Sequence, residues 1–379
     1  MKFGTEILHT GADYDQITGA VSMPIYHSST YDQKGEHVRD YVYSRSGNPT
    51  RAALEETMAV IEGGDQGFAF ASGIAAISSV LAIFSAGDHI LVTKDVYGGT
   101  YRVLTEVFSR FGFEFDFIDT CDLTKIDESI KVNTKALYLE TPSNPLLKVT
   151  DLKKAVSIAQ AHNLITLADN TFMTPYFQQP LQLGIDVAIH SATKYLGGHS
   201  DILAGVVVAK GEQLCQRIGK IQKAFGAVLG PQDCWLLLRG LKTLKVRMDQ
   251  HQKGAMSLAS WLKDQPLVEQ VFYPGFSTHP GHQIVKQQAS GFGGVVSFVC
   301  KDWEVTKQLM KNVEIPVVAV SLGGVESILS HPATMSHAAI PKEERLKLGI
   351  SNNLLRFSVG LEEPEDLIQD MENTLQSCR

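Results

Sequence analysis

The sequence reads His190-Ser-Ala-Thr-Lys-Tyr-Leu-Gly-Gly-His199 directly after an apolar, strand-like run at residues 186–189. This stretch places one lysine, Lys194, among small hydroxyl and glycine residues. A lysine that forms a Schiff base has to lie in a partly dry pocket where its pKa falls. The spacing Ser-x-x-Lys is weak support by itself, because a strand-end lysine beside a polar turn is common. Lys194 is therefore a candidate covalent anchor whose assignment depends on other segments.

The nearest of these segments is Leu164-Ile-Thr-Leu-Ala-Asp-Asn-Thr171, an apolar run that ends in an acid. In an open α/β sheet, ligands bind outside the carboxyl ends of the strands, so Asp169 and Lys194 are expected to face one another. Pyridoxal phosphate needs a carboxylate that keeps its ring nitrogen protonated and an amine that binds it covalently. The pair predicts a pyridoxal phosphate site, and the alternative is that Asp169 only caps a turn.

A phosphate group needs a cradle, and Phe68-Ala-Phe-Ala-Ser-Gly-Ile-Ala-Ala-Ile77 is typical of a strand followed by a helix that begins at Gly73. The free N–H groups at a helix N-terminus favour an anion, and a glycine there lets the backbone approach it closely. Ser191 and Thr193 are expected to add hydroxyl groups. A Ser-Gly pair before a helix is also a common cap without a ligand.

Two segments with aromatic residues complete the candidate site: Asp95-Val-Tyr-Gly-Gly-Thr100 and Tyr41-Val-Tyr-Ser-Arg-Ser-Gly-Asn-Pro-Thr-Arg51. Tyr97 is predicted to stack on a flat ring, since its glycine neighbours leave the ring face open. Tyr43 and Arg45 are two residues apart on an extended segment, so both are expected to reach the same phosphate. Half-buried packing is the alternative for Tyr97.

The chain resembles the pyridoxal-phosphate enzymes of cysteine and methionine metabolism, which include cystathionine γ-lyase, cystathionine β-lyase, cystathionine γ-synthase and methionine γ-lyase. The resemblance covers almost the whole chain. Its motifs occur in family order: Tyr43-Ser-Arg-Ser-Gly-Asn-Pro-Thr50, Ser72-Gly-Ile-Ala75, Val96-Tyr-Gly-Gly-Thr100, Glu140-Thr-Pro-Ser-Asn-Pro145, Ala168-Asp-Asn-Thr-Phe172, Ser191-Ala-Thr-Lys-Tyr195, Ser321-Leu-Gly-Gly324 and Arg356-Phe-Ser-Val-Gly360.

The resemblance implies a role for each matching residue. Lys194 corresponds to the lysine that binds the cofactor, Asp169 to the partner of its ring nitrogen and Tyr97 to the stacking ring. These three are the expected catalytic residues. The remaining cofactor-binding residues that it implies are Gly73, Ile74, Ser191, Thr193, Asn144, Tyr43 and Arg45, and the substrate-binding residues are Arg356, Asn144, Ser321, Arg102, Glu140 and Val320.

The resemblance also implies an assembly. In the family, Tyr43 and Arg45 enter the site of the neighbouring subunit. This implies an obligate dimer and a homotetramer built from two dimers, with active sites shared across each dimer.

The activity that the resemblance implies is γ-elimination of L-cystathionine to L-cysteine, 2-oxobutanoate and ammonia, with release of hydrogen sulfide from cysteine or homocysteine as a side activity. Gly99 stands where methionine γ-lyases carry a reactive cysteine, while Arg102 and Glu140 match the enzymes that use cystathionine. Val320 departs from the glutamate that precedes Ser-Leu-Gly-Gly in typical cystathionine γ-lyases. Cystathionine β-lyase, a mixed β/γ-lyase and cystathionine γ-synthase therefore stay open.

The chain has 379 residues, which exceeds what one core usually holds, so two domains are expected. The predicted order is an N-terminal arm at 1–44 that contacts a neighbouring subunit, a cofactor-binding large domain at 45–235 and a C-terminal small α+β domain at 236–379. The alternation of strands and helices predicts a mostly parallel sheet in the large domain. The resemblance implies that this sheet has the aspartate aminotransferase type of fold, fold type I. Its strands are expected at 67–70, 89–93, 136–140, 164–168, 186–189 and 205–209, alternating with helices such as 100–111 and 152–161. A single helix at 231–263 is predicted to join the domains.

Charge and composition limit the classes of partner that the protein is expected to bind and the compartment in which it is expected to lie. The net charge of −7 argues against nucleic acid and anionic membranes, which leaves a small molecule as the expected ligand. The resemblance implies that this molecule is an amino acid. No signal-type apolar segment begins the chain and no long apolar run follows, which predicts a cytoplasmic location. The five cysteines are scattered, as is typical of reduced thiols: Cys121, Cys215, Cys234, Cys300 and Cys378.

Other functions lack their motifs. His279-Pro-Gly-His282 is not predicted to bind a metal, because a Pro-Gly turn does not bring both rings to one face. Gly291-Phe-Gly-Gly294 lacks the third glycine of a dinucleotide-binding loop, and Gly-x-Ser-x-Gly of serine hydrolases is missing around Ser72. A non-catalytic oligomer that only binds the cofactor would be signalled by loss of Lys194, Asp169 or Arg356, and all three are present.

Overall fold

The computed structural model describes residues 1–11, 15, 18–34, 41–338 and 340–377. Parts of the predicted N-terminal arm, as well as Cys378, lie outside the described residues. The arm begins with helix α1 (Phe3–His9), and its later residues hydrogen bond to helix α2 (Pro49–Glu62): Tyr26 N–H donates to Thr50 Oγ1 at 3.0 Å. Its predicted contact with another subunit stays a prediction.

Seven strands form the first sheet: β1 (Gln66–Phe70), β2 (His89–Thr93), β3 (Glu114–Ile118), β4 (Thr134–Glu140), β5 (Ile165–Asp169), β6 (Val187–Ser191) and β7 (Gly205–Ala209). Their spatial order is β1-β7-β6-β5-β4-β2-β3, and only β7 runs antiparallel to its neighbours. The central strands are continuous apolar runs because helices cover both faces of the sheet. The prediction of a mostly parallel sheet is confirmed.

Helices cover both faces of this sheet. They are α2, α3 (Gly73–Leu81), α4 (Gly98–Arg102), α5 (Leu123–Glu128), α6 (Leu152–Ala161), α7 (Thr174–Phe177), α8 (Glu212–Phe225) and α9 (Pro231–Leu241). Leu54 of α2 and Leu237 of α9 belong to the core on one face, and Val80 of α3 and Ile218 of α8 to the core on the other. The carboxyl ends of β4, β5 and β6 stay open between these layers.

A second sheet contains β8 (Val268–Phe272), β9 (Val295–Cys300), β10 (Val317–Val318), β11 (Ile328–Ser330) and β12 (Leu354–Ser358), in the order β10-β11-β12-β9-β8. Its helices are α10 (Leu244–Lys263), α11 (His282–Gln288), α12 (Trp303–Asn312), α13 (Lys342–Leu348) and α14 (Pro364–Gln376). Leu258, Leu309 and Leu367 pack from α10, α12 and α14 into the core around Phe298 and Phe357 of the sheet. The predicted domain limits at 44/45 and 235/236 stay predictions.

The prediction of one helix at 231–263 was wrong, because the chain forms α9 and α10 with a break at Lys242 and Thr243. The buried Arg247 guanidinium donates to the carbonyl oxygens of Gly240 at 2.8 Å and Tyr195 at 2.6 Å. The Thr243 hydroxyl donates to the same Gly240 oxygen at 3.1 Å. The Gly240 carbonyl at the break therefore accepts from two side chains as well as from Thr243 N–H at 3.2 Å.

Two further differences concern the stretch from Gly98 to Ile118. The predicted helix at 100–111 is α4 followed by a π-helical turn at Val103–Val107 and a 3-10 turn at Phe108–Phe111. The Thr105 hydroxyl donates to the Tyr101 carbonyl at 2.9 Å, and such back-bonding distorts a helix. The edge strand β3 was not predicted.

Candidate active site

A cavity of about 620 Å³ lies at the carboxyl ends of β4, β5 and β6. Arg356 of the second sheet and the loops at 320–322 and 335–338 line its other side. It brings together most of the residues singled out in the sequence: Gly73, Ile74, Tyr97, Arg102, Glu140, Asn144, Asp169, Ser191, Thr193, Lys194, Val320, Ser321 and Arg356. The strand ends converge here because parallel strands all point the same way, so residues far apart in the chain share one edge.

Lys194 lies in the loop after β6, and its Nζ donates to Ser321 Oγ at 2.7 Å. The loop is held by Thr193, whose Oγ1 accepts from Ala204 N–H at 3.0 Å. Burial, together with the positive charge of Arg356, lowers the pKa of Lys194 to about 8. With this pKa, roughly a tenth of the amine is neutral at pH 7 and able to act as nucleophile or base.

Arg356 comes from β12 and is 2 % exposed. Its Nη1 donates to Asn144 Oδ1 at 2.9 Å and its Nη2 to the Ser321 carbonyl at 2.5 Å. Burial lowers its pKa to about 10, so it stays charged. Its Nε is buried with no hydrogen-bond partner in the described part of the chain. A buried guanidinium with an unused donor at a cavity is suited to a planar anion such as a carboxylate.

Ser321 connects Lys194 and Arg356, since its hydroxyl contacts the first and its carbonyl the second. Its φ is 110°, in the region that non-glycine residues rarely adopt. Such a conformation costs about 1–3 kcal/mol and persists where the surroundings fix it. The strain is consistent with a residue that is held for its contacts in the cavity.

Two buried carboxylates, Asp169 and Glu140, are register partners on β5 and β4. Burial, assisted by the charge of the neighbouring carboxylate, raises the pKa of Glu140 well above its usual range. Burial also raises the pKa of Asp169, although hydrogen bonds from Thr171 lower it in part. Glu140 Oε2 accepts from Tyr97 N–H at 2.8 Å and so holds the loop that carries the Tyr97 ring.

The N-terminus of α3 forms another wall. Ser72 Oγ caps the helix by accepting from Ala75 N–H at 3.1 Å. A Cβ at Gly73 would lie 2.7 Å from Ser191 Oγ and 3.0 Å from Ser191 Cα, so only glycine lets the helix end approach the lysine loop this closely. A Cβ at Gly99 would lie 2.3 Å from Tyr97 Cε1, so the ring position also depends on a glycine.

These residues fit pyridoxal phosphate. The cavity holds an amine with a lowered pKa, a carboxylate for a ring nitrogen, a ring for stacking and a helix N-terminus with a glycine for a phosphate. The charged guanidinium of Arg356, which lines the cavity, provides a partner for the carboxylate of an amino-acid substrate.

Sequence reasoning missed several residues of the site. Thr171 links two loops, since its N–H donates to Asp169 Oδ1 at 3.0 Å and its Oγ1 accepts from Ser191 N–H at 2.9 Å. Its position just after the acid was the available signal. His337 is buried and its Nε2 lies 3.0 Å from the Asn144 carbonyl. Nothing local in the sequence indicates that contact. Four residues that line the cavity belong to no segment singled out in the sequence: Leu203, Met335, Ser336 and Ala338.

Tyr43 and Arg45 do not line this cavity. Arg45 Nη1 donates to the Lys223 carbonyl at 2.9 Å, and the guanidinium lies 5.6 Å from the centre of the Tyr43 ring. Their predicted contribution to the site of a neighbouring subunit stays a prediction.

Cys121, Cys215 and Cys234 carry free thiols. Within the described ranges, no group of three or more His, Cys, Asp and Glu side chains is placed to hold a metal ion. None of the described helices has the length and apolar character needed to cross a membrane.

Known proteins resemble this chain along almost its whole length. The model of the Cys/Met metabolism PLP-dependent enzyme family matches residues 4–376. The chain is 54% identical over 373 residues to cystathionine beta-lyase of Bacillus subtilis, covering 98% of this chain and 96% of that protein. It is 50% identical over 379 residues to cystathionine gamma-lyase of the same organism, covering all of both chains.

The solved structure of cystathionine gamma-lyase from Lactobacillus plantarum, complexed with L-serine, matches with a TM-score of 0.98 and 47% identity. The match covers 100% of this chain and 99% of that one, which confirms the predicted fold type. The chain therefore belongs to the pyridoxal-phosphate-dependent enzymes of cysteine and methionine metabolism.

Proposed function

We propose that this enzyme cleaves L-cystathionine by γ-elimination to L-cysteine, 2-oxobutanoate and ammonia. The observation that carries the proposal is the Lys194 amine, with its lowered pKa, in one cavity with the buried Arg356 and Asp169. An amino-acid substrate needs these three groups: a carboxylate anchor, a base at its Cα and an acid that keeps the cofactor ring electron-withdrawing. The full-length likeness to a cystathionine gamma-lyase supports the choice of substrate.

Each cofactor contact has a candidate on this chain. Gly73 and Ile74 at the helix N-terminus, with the hydroxyls of Ser191 and Thr193, would hold the phosphate. Tyr97 would stack on the ring, and Asp169 would face the ring nitrogen. When bound, pyridoxal phosphate withdraws electrons from the substrate Cα through its protonated ring.

The protein side chains bind the substrate and move its protons. Arg356 binds the substrate carboxylate, and Asn144, which accepts from Arg356 Nη1, fixes the guanidinium plane. Lys194 Nζ removes the proton from Cα. Ser321 Oγ, at 2.7 Å from that nitrogen, holds it beside the substrate. Arg102 and Glu140 line the same cavity on the side of the Tyr97 loop.

Cleavage at Cβ is the second candidate. Val320 is 61% exposed at the cavity and brings no carboxylate to the position that typical γ-lyases fill with glutamate. The 54% identity to a cystathionine beta-lyase also favours this reaction. Both reactions begin with removal of the Cα proton, so the lysine and arginine have the same roles in each.

The keto acid distinguishes the two reactions. Purified protein incubated with L-cystathionine should release 2-oxobutanoate together with cysteine, and the products can be separated by chromatography. Pyruvate with homocysteine as the main products would assign β-cleavage and overturn the γ-lyase proposal. Comparable amounts of both keto acids would make the protein a mixed lyase.

The shared site gives a second prediction. Lys194→Ala and Arg45→Ala protomers should each be inactive when assayed alone. Unfolding and refolding an equal mixture of the two should restore about a quarter of the parental activity. The reason is that half of the refolded dimers contain one protomer of each kind, and each of these mixed dimers has one intact site. Activity of the refolded mixture and of each variant alone is the measurement. No recovery in a mixture that forms dimers would show that Tyr43 and Arg45 act within their own chain. The dimer, the tetramer and the cytoplasmic location stay predictions.

The lowered pKa of Lys194 gives a third prediction, on cofactor uptake by the apoprotein. Only the neutral amine attacks the aldehyde, so the rate of pyridoxal phosphate incorporation should rise with pH up to about 8 and then level off. Stopped-flow absorbance follows the reaction. A rate that still rises steeply at about pH 10 would show an ordinary solvent-exposed lysine.

A further inference from the structure

A buried acid–imidazole pair lies next to the strand ends of the site but outside the cavity. Glu62, the last residue of α2, and His190 on β6 are both 0% exposed. Glu62 Oε1 lies 3.2 Å from His190 Nε2. Burying a carboxylate is costly unless a partner compensates its charge, so a pair in this setting needs a reason beyond packing.

The same carboxylate reaches the residue that follows Asp169. Asn170 Nδ2 donates to Glu62 Oε1 at 3.3 Å and to the Gln178 carbonyl at 2.7 Å. Asn170 Oδ1 accepts from Gln178 Nε2 at 3.0 Å, and Asn170 N–H donates to the Ile189 carbonyl at 2.9 Å. These hydrogen bonds fix both the side chain and the backbone of Asn170. They therefore also fix the position of the preceding residue, Asp169, at the end of β5.

The network also touches the other two strand ends. Gln178 Nε2 donates to the carbonyl of Thr141, directly after Glu140 on β4, at 3.2 Å. His190 lies on β6, in the segment that leads into the Lys194 loop. One buried set of side chains, Glu62, His190, Asn170 and Gln178, therefore connects the three strands whose ends carry Glu140, Asp169 and Lys194.

The pair also acts on the charge of Asp169. Asp169 is 8% exposed and lies beside the buried Glu140, two conditions that favour its neutral form. Burial raises its pKa, while Thr171, the His190 ring and the Tyr138 hydroxyl lower it. A neutral Asp169 would be a poor partner for a protonated ring nitrogen, so positive potential from His190 favours the form that the chemistry needs.

We propose that Glu62 and His190 are positioning residues that hold Asp169 as an aligned carboxylate opposite the ring nitrogen of the cofactor. The inference rests on the proposed placement of that nitrogen against Asp169. Neither residue touches the cofactor or the substrate. His190 supplies positive potential next to Asp169, and Glu62 holds the His190 ring and Asn170 in place.

The test compares two ligands on Glu62→Gln and His190→Gln. The first ligand is pyridoxal 5′-phosphate, and the second is its analogue with carbon in place of the ring nitrogen. Each variant should bind pyridoxal phosphate about tenfold more weakly than the parent, as expected for a shift of about one pKa unit at Asp169. Binding of the carbon analogue should be unchanged, because it has no nitrogen for Asp169 to hold. Equilibrium dialysis of the apoproteins gives both dissociation constants.

A second readout is the ¹⁵N NMR signal of ring-labelled pyridoxal phosphate bound to each protein, which should move toward the unprotonated position in both variants. Asp370→Asn is the matched control. Asp370 is a buried carboxylate that accepts from the N–H groups of Glu314 and Ile315, away from the cavity. The Asp370→Asn substitution should lower thermal stability and leave both dissociation constants and the NMR signal unchanged.

Equal weakening of both ligands, or an unchanged NMR signal, would give the pair a purely structural role and overturn the proposal. Failure of both variants to fold would also overturn it, since the pair would then serve the fold. If the parent itself binds both ligands equally, the placement of the ring nitrogen against Asp169 is wrong, and the proposed function rather than this inference alone has failed.

Discussion

Lys194→Ala is expected to lower kcat/KM for cystathionine by at least about 10²–10⁴, the range for loss of a general acid–base group, with a further loss from the missing covalent step. The reason is that Lys194 is the amine in the cavity with its pKa lowered to about 8, and its Nζ lies 2.7 Å from Ser321 Oγ. Steady-state assays of purified, cofactor-loaded protein check this result.

The matched control is Lys210→Ala. Lys210 is a partly buried lysine just after β7, and its Nζ donates to the Leu181 carbonyl at 2.9 Å outside the cavity. Its removal should cost some stability but little activity. Equal activity in Lys194→Ala and the parent would show that Lys194 has no role in catalysis.

Arg356→Lys is expected to raise KM for every amino-acid substrate by about 10- to 150-fold, which corresponds to about 1.5–3 kcal/mol of charged hydrogen bonding. Lysine keeps the charge but cannot present parallel N–H donors in one plane. The cofactor should stay bound, since its expected contacts lie elsewhere in the cavity. KM and cofactor content measured on the same preparation separate the two effects.

A purely structural Arg356 would give the opposite result, a lower melting temperature with unchanged KM. An ion pair with Glu362 is not the reason for its burial. The hydrogen bonds of the Arg356 guanidinium go to Asn144, Ser321 and Ser330. Glu362 instead accepts from Ser327 N–H and Ser327 Oγ. Arg247→Lys serves as control. Arg247 is also buried, but it donates to backbone carbonyls at the break between α9 and α10, so its replacement should lower stability and leave KM unchanged.

Strands and helices were predicted correctly where the pattern of neighbouring residues alone determines them. The apolar, β-branched runs gave the bounds of β2 and β7 as the structure has them, and the amphipathic pattern did the same for α6. The break between α9 and α10 was missed because the pattern of apolar residues runs through it. The break depends on Arg247 meeting carbonyls of Tyr195 and Gly240, and the contact to Tyr195 is distant in sequence.

The candidate site likewise contains residues that their sequence neighbours indicate and residues that only contacts in the folded protein reveal. Lys194, Asp169 and Gly73 stand beside strand ends, where the chemistry of each residue can be inferred from its neighbours in sequence. Thr171 and His337 were missed because their parts depend on contacts to other loops. Glu62 and His190 are far apart in the chain, and their pairing is visible only in the folded protein. The choice between cleavage at Cβ and Cγ depends on how the substrate lies against Val320.

Reductive fixation tests the central claim most directly. The purified protein with pyridoxal phosphate should be yellow, and borohydride treatment should attach the cofactor permanently to a single peptide. Proteolysis and mass spectrometry should place the label on Lys194, in the peptide that contains Ser191-Ala-Thr-Lys-Tyr195. A label on any other lysine, or no label in protein that has bound the cofactor, would contradict the account.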